Sequence, residues 1–428
     1  MSRLRRNVAA HATGTAFGLL IQFGLVLVLA HWLPVTAFAA FVTATALIGF
    51  GEMAADFGVR IWATRQFALG ASGEAAFMPS ILAKTTYSAL LVAVLCLLPP
   101  TLLTVWQALL TALVACSQPS TDPLLWRLRG HERLDVEMLV VLGWRIGNAA
   151  LLAGLTVSGL GLNGLLTAWL ASNLLRSAAT WQIPIARVSV RKMGFFPLMS
   201  STTRLIRDSF PVGLTFLLMA LFQRVAVLLL GHRGDVREVA WFGAAFSLVS
   251  SAGFLATSIT VSSFAGLSRA ADAGNWVAVT ELTRRTLRWI GLVFFPSCLV
   301  GGFTAPWIVK LLYPDDFTPA AAAILYLLPG LYISSLNFAL KYLLSALQMN
   351  WLDTLTVALG LSVLIFGILA APTNNLLRSA ALAWSGGELA ILLTRGWLLR
   401  CDHRIGVLAL PWHLLAAAVL AAALASIH

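Results

Sequence analysis

The residues best placed to do chemistry are the charged ones that interrupt long apolar stretches. Glu52, Asp56 and Arg60 recur at i, i+4 and i+8, a spacing that stacks side chains on one helical face. Such a column could hold a proton or a cation, with Arg60 as charge partner, or it could simply be a self-neutralised helix end. Arg145 stands about nine residues into the apolar stretch 136–157, flanked by Gly143 and Gly147. That G-x-x-x-G spacing is expected to admit a neighbouring helix or to clear space beside the guanidinium. Arg176 and Arg224 lie inside two further apolar stretches, and Glu388 follows Gly386-Gly387 in another. A charge in hydrocarbon is costly, by about 2.5–3.5 kcal/mol on insertion scales. A guanidinium facing a cavity is a bidentate ligand for phosphate. Arg145, Arg176 and Arg224 are therefore candidate ligands for an anionic headgroup, and Glu52, Asp56 and Glu388 are candidates for ion coupling. Each has a structural alternative: a salt bridge such as Arg145 to Glu52, or a helix-packing hydrogen bond for Glu388. Lys84, Lys310, Lys341, Arg378 and Arg395 lie near stretch ends, where long stems can reach water. Gly58 is expected only to relax a helix end.

The elements that carry these residues follow from composition. Of 428 residues, 59% are hydrophobic and 11% charged, far from the roughly 25% charged of a soluble domain. Runs of about 20 apolar residues span a bilayer core, and lipid offers their backbone no partner, so they must be helices. Thirteen candidate spans cover residues 8–31, 37–57, 77–98, 101–118, 136–157, 160–182, 209–231, 239–263, 287–312, 320–345, 353–371, 376–397 and 406–427. The last is the least clear of them. The fold class is all-α, a polytopic membrane protein with 12–13 transmembrane helices. The net charge of +12 comes from arginines scattered between spans, not from a nucleic-acid surface. Arg3, Arg5 and Arg6, then Arg127, Arg129 and Arg133, then Arg284, Arg285 and Arg288, fall in alternate loops. By the positive-inside rule they place the N-terminus in the cytoplasm. The longest inner link is basic and divides the chain near its midpoint. It gives an N-terminal lobe over 1–190 with six spans, a linker over 191–208, and a C-terminal lobe over 209–428 with six or seven.

Much catalytic chemistry is missing. There is no Walker A, G-x-S-x-G or H-E-x-x-H motif, and no outer loop is long enough for a catalytic domain. Cys96, Cys116, Cys298 and Cys401 lack metal or disulfide spacing. No enzyme activity, cofactor or metal is expected.

Several stretches in order resemble the polysaccharide and O-antigen (Wzx-type) flippases of the multidrug/oligosaccharidyl-lipid/polysaccharide (MOP) exporter superfamily. They are Leu29-Ala30-His31-Trp32-Leu33-Pro34 with Ala55-Asp56-Phe57-Gly58-Val59, and Arg129-Gly130-His131-Glu132-Arg133 with Trp144-Arg145-Ile146. Further on come Ser209-Phe210-Pro211 through Gln223-Arg224-Val225, Val239-Ala240-Trp241-Phe242-Gly243, and Ala305-Pro306-Trp307-Ile308-Val309-Lys310. The family often has an acid near Gln223-Arg224, absent here. The resemblance implies two six-helix lobes around a central cavity in a bacterial cytoplasmic membrane. It implies a polyprenyl-pyrophosphate-linked glycan as cargo, moved between leaflets by alternating access, with an H⁺ or Na⁺ gradient as candidate driving force and other glycan assembly proteins as candidate partners. The main alternative is a multidrug cation antiporter of the same superfamily, which would need a net acidic cavity. A membrane glycosyltransferase and a non-transporting scaffold are more distant alternatives.

Overall fold

The computed structural model describes residues 2–67, 74–97, 102–119, 121–131, 133–182, 195–402 and 410–425. Among the described residues every regular element is helical. Backbone groups withdrawn from water must bond within their own segment. Many Ser and Thr hydroxyls do the same, bonding to the carbonyl one turn back, as in Thr43 to Ala39 (3.0 Å), Thr156 to Leu152 (2.8 Å) and Ser335 to Leu331 (2.7 Å).

The chain forms two compact units, Met1–Arg224 and Val225–His428. The first holds α1 (Ser2–Trp32), α2 (Val35–Asp56), α3 (Val59–Phe67), α4 (Phe77–Leu97), α5 (Val105–Ala115), α6 (Thr121–Gly130), α7 (Leu134–Val157), α8 (Leu162–Gln182) and most of α9 (Phe195–Arg233). The second holds the end of α9 with α10 (Val236–Asp272), α11 (Trp276–Leu312), α12 (Ala320–Ala346), α13 (Asn350–Leu369), α14 (Leu376–Cys401) and α15 (Leu410–Ala425). Each of the thirteen expected spans coincides with one helix. Among the described residues, eight segments are long and apolar enough to cross a membrane, in α2, α4, α7, α9, α11, α12, α13 and α14. Shorter apolar segments lie at Phe17–Trp32, Val105–Ala115 and Trp412–Leu424. Residues 195–208, the end of the expected linker, are the opening turns of α9, and 191–194 lie outside the described residues.

In the first unit α1 packs on α7, and α2 on α4 and α5. Two arginine-bearing connections are helical. α3 and α6 pack on each other over an apolar core of Val59, Ala63, Phe67, Phe77, Leu124, Trp126 and Leu205. Glu137, almost fully buried, anchors Arg129 of α6, whose Nε donates to it at 3.1 Å. α5 is fixed at its start by a reciprocal cap between Thr104 and Gln107. In the second unit α12 is central, against α10, α11 and α14. α13 packs on α14, and α15 docks on α11 and α12, where His413 Nδ1 lies 2.8 Å from the Tyr332 hydroxyl.

One break organises the first unit. The chain turns between α2 and α3 through Phe57 (φ 34°) and Gly58 (φ 77°), both left-handed. Asp56 caps the new helix, its Oδ1 accepting from Arg60 N at 2.9 Å. Gly58 has a stricter role than easing a helix end. A Cβ there would lie 2.7 Å from the Ser209 carbonyl oxygen and 2.8 Å from Gly213 N on α9. Gly58→Ala is expected to lower the melting temperature of the detergent-purified protein. The left-handed backbone alone costs about 1–2 kcal/mol with a Cβ, and the α9 contact adds to it. An unchanged melting curve would refute this account.

Candidate functional site

The charged candidates divide between the two units, and the divided sets differ in kind. In the first unit, α2 contributes Glu52 and Asp56, α4 Lys84, α6 Asp122, α7 Arg145, α8 Arg176 and α9 Arg224. Asp56, Lys84 and Arg176 sit on buried faces of their helices, while Glu52 is exposed and Arg145 and Arg224 are partly so. Lys84, buried, pairs directly with Asp122 and lies 5.4 Å from the Trp126 ring centroid. Arg176, also buried, reaches the second oxygen of Asp122 at 3.9 Å and stacks its guanidinium 4.4 Å from the Trp144 ring centroid. Its Nε has no hydrogen-bond partner among the described residues. Asp56 pairs with Arg60 at 3.4 Å, and Arg60 in turn lies over Phe216 at 5.7 Å.

Glu52, Arg145 and Arg224 behave differently. Glu52 is enclosed by charge but remains accessible, in electrostatic reach of Asp122, Arg176, Lys84, Arg145 and Arg224. Arg145 and Arg224 are half-buried, and among the described residues neither has a carboxylate in ion-pair contact. The Arg145 guanidinium lies against Gly18 of α1, and that of Arg224 against Gly49 of α2.

Three sequence expectations change here. Glu52, Asp56 and Arg60 do not form one uniform column, because the turn at Phe57-Gly58 puts Arg60 on α3. Asp56 is buried and paired while Glu52 is open. Gly143 and Gly147 face open space, and a Cβ at either would meet no atom within 4 Å. The glycine pair that brings helices together is Gly14 and Gly18 on α1, against Met138 and Arg145 of α7. Lys84 and Arg395 do not reach for water, being 3% exposed each and ion-paired inside. Lys310 and Arg378 are exposed.

In the second unit the charges close on themselves. Arg395 pairs with Asp353 at 2.6 Å and donates from Nη1 to the Asn337 carbonyl at 2.8 Å. Asn337 Nδ2 donates to the Glu388 carboxylate at 2.7 Å and to its backbone carbonyl at 2.8 Å. The result is a buried network joining α12, α13 and α14, with Glu388 as a helix-packing member. Sequence reasoning missed Asp122, Asp353 and Asn337. Asp122 sits among small polar residues between expected spans, and its one signal was an acid beside otherwise basic residues.

Comparison with known proteins matches this fold. The MatE family model matches residues 211–373, from α9 into the turn after α13. No curated protein matches by sequence. Among solved structures, the chain is similar to a multidrug resistance MATE family transporter of the MOP superfamily in an inward-facing conformation. The TM-score is 0.70 at 14% identity, over 95% of each chain. It is similar to the lipid II flippase MurJ in an inward closed conformation, with TM-score 0.69 at 12% identity over 97% of each chain. It is also similar to the eukaryotic MATE transporter AtDTX14, with TM-score 0.64 at 13% identity over 98% of this chain and 100% of the other. These likenesses show the fold.

The enclosed pair in the second unit gives a direct test of its structural role. Breaking a buried ion pair from one side costs about 3–5 kcal/mol, whereas replacing both partners with apolar groups is often neutral. Arg395→Met is expected to lower thermal stability sharply, and Arg395→Met with Asp353→Leu to recover most of it. Equal melting temperatures for the single variant and the parent would show that the pair is not a structural fastener.

Proposed function

We propose that this chain is a MOP-type flippase that carries a polyprenyl-pyrophosphate-linked oligosaccharide from the inner to the outer leaflet of a bacterial cytoplasmic membrane. On this reading its N-terminus is cytoplasmic and it works by alternating access. The observation that carries the reading is the charge balance of the first unit. Five cationic side chains (Arg60, Lys84, Arg145, Arg176, Arg224) stand among three carboxylates (Glu52, Asp56, Asp122). Among the described residues, two of these arginines, Arg145 and Arg224, have no direct ion pair and keep accessible surface.

A guanidinium binds phosphate oxygens bidentately and keeps its charge when partly desolvated. Arg145 and Arg224 would hold the pyrophosphate while the polyprenyl chain stays in lipid. Arg176, fixed by Asp122 and Trp144, would add charge from behind. Glu52 is the coupling candidate, because it is accessible and within the field of all three arginines. Neutralising it with H⁺ or Na⁺ would strengthen their hold on an anion. Asp56 serves the α3 cap, and Glu388 the packing of the second unit.

The multidrug cation antiporter is the second reading, favoured by the MATE structures of the same fold. A cationic drug would meet an excess of positive charge in this unit, which disfavours it.

Flipping of a labelled polyprenyl-pyrophosphate glycan in proteoliposomes tests the proposal. Arg145→Ala and Arg224→Ala are each expected to weaken cargo affinity by about 10- to 100-fold, the value of one charge-assisted contact. Glu52→Gln is expected to tighten pyrophosphate binding about 3- to 10-fold, since it removes an opposing charge in a partly desolvated site. Efflux of cationic dyes, with no glycan flipping under H⁺ or Na⁺ gradients, would favour the antiporter instead.

A further inference from the structure

We infer that Gly18 and Gly49 are positioning residues for the anion site, each serving as the seat of one ligand arginine. The inference rests on the anion-binding reading above and adds to it the residues that set the geometry. In a helix a glycine ordinarily weakens the element relative to alanine, so a buried one invites a reason. Gly18 lies on α1 within an otherwise unbroken helix, and it is buried. A Cβ there would fall inside contact distance of Arg145 Nη1 and 3.1 Å from both Cδ and Cζ. The guanidinium thus occupies the volume a side chain would fill.

The same arrangement recurs independently on another helix pair. A Cβ on Gly49 of α2 would lie 3.1 Å from Arg224 Nη2, 3.2 Å from Nε and 3.3 Å from Cζ. Nη2 and Nε lie nearer than Cζ, so the glycine faces the Nε–Nη2 side of the guanidinium. These are the two arginines without carboxylate contacts, so no ion pair orients them. Arg176, by contrast, is oriented by Asp122 and Trp144. Packing against a bare backbone restricts each guanidinium without spending its charge, leaving the N–H groups turned away from the glycine for a ligand. A long flexible cation is pre-organised in this way, and less affinity is lost to ordering it on binding. Gly49 is also three residues before Glu52, so the seat of Arg224 and the opposing carboxylate share one turn of α2.

A diphosphate is the ligand this proposal takes, because each guanidinium can pair with phosphate oxygens. The test measures binding of inorganic pyrophosphate to the full-length protein in nanodiscs. Gly18→Ala and Gly49→Ala are expected to raise Kd about tenfold. Gly24→Ala, on the same helix as Gly18 but with open space around it, is expected to leave Kd unchanged.

A double-mutant cycle separates positioning from general packing. In the Arg145→Ala background the space is vacated. There Gly18→Ala is expected to cost no further affinity and no melting temperature. The Gly49 and Arg224 pair is expected to behave alike. Parental affinity in both glycine variants would overturn the inference while leaving the anion reading intact, and so would losses that add fully to those of the arginine variants. Failure of the parent protein to bind pyrophosphate at all would overturn the anion reading, and this inference with it.

Discussion

A charge inside an apolar helical body must find a partner or keep access to water, and the two units meet that constraint in opposite ways. In Val225–His428, Arg395, Asp353, Asn337 and Glu388 bond to one another across three helices, and little accessible charge remains among them. Such a network fixes the register of α12, α13 and α14, because no sliding of one helix preserves all its bonds. In Met1–Arg224, Lys84, Asp122 and Arg176 are closed in a similar way. Glu52, Arg145 and Arg224 are not. The first unit therefore holds a closed charged cluster together with charges that stay open.

The helices were legible in the sequence because their cause is local. A run of apolar residues reports its own burial, and every expected span coincides with a helix. α3 and α6 were not legible as elements. They are only 9 and 10 residues long, rich in arginine, and become helical by packing on each other and on α9. The partners of buried charges were the least legible feature. Lys84 and Asp122 are 38 positions apart, and Arg395 and Asp353 are 42 apart. Nothing near Lys84 or Arg395 says that a carboxylate will arrive, so both look like residues that stretch to water. The G-x-x-x-G spacing at 143 and 147 left helix approach and cleared space both open for a related reason, and the structure has open space there. Small residues permit close approach, but only the fold decides which helix comes near, and here it comes to Gly14 and Gly18.

A fold shared by drug transporters and a lipid flippase does not select the cargo, because the same helical frame accepts either. Selection has to come from side chains, and sign of charge is the coarsest selector available. Ordinary surface arginines would carry little weight in that argument, since solvent screens them. Arg145 and Arg224 carry more. They are half-withdrawn from water, held within the reach of one carboxylate, and not neutralised by it in contact.

Under the proposed function, Glu52 would decide how such a site is cyclic rather than merely sticky. A ligand moves a two-state transporter only by favouring one state over the other. If Arg145 and Arg224 were fully paired, an anion would have to break ion pairs to bind. If no carboxylate were near, a pyrophosphate held by both would leave slowly. A single accessible carboxylate in reach of both arginines, but touching neither, lies between these limits. It offsets part of their charge when ionised and releases it when neutralised by a cation. The spacing of Gly49 and Glu52 on one helical turn makes this tuning local, so a small rotation of α2 would change the seat of Arg224 and the position of its counter-charge together.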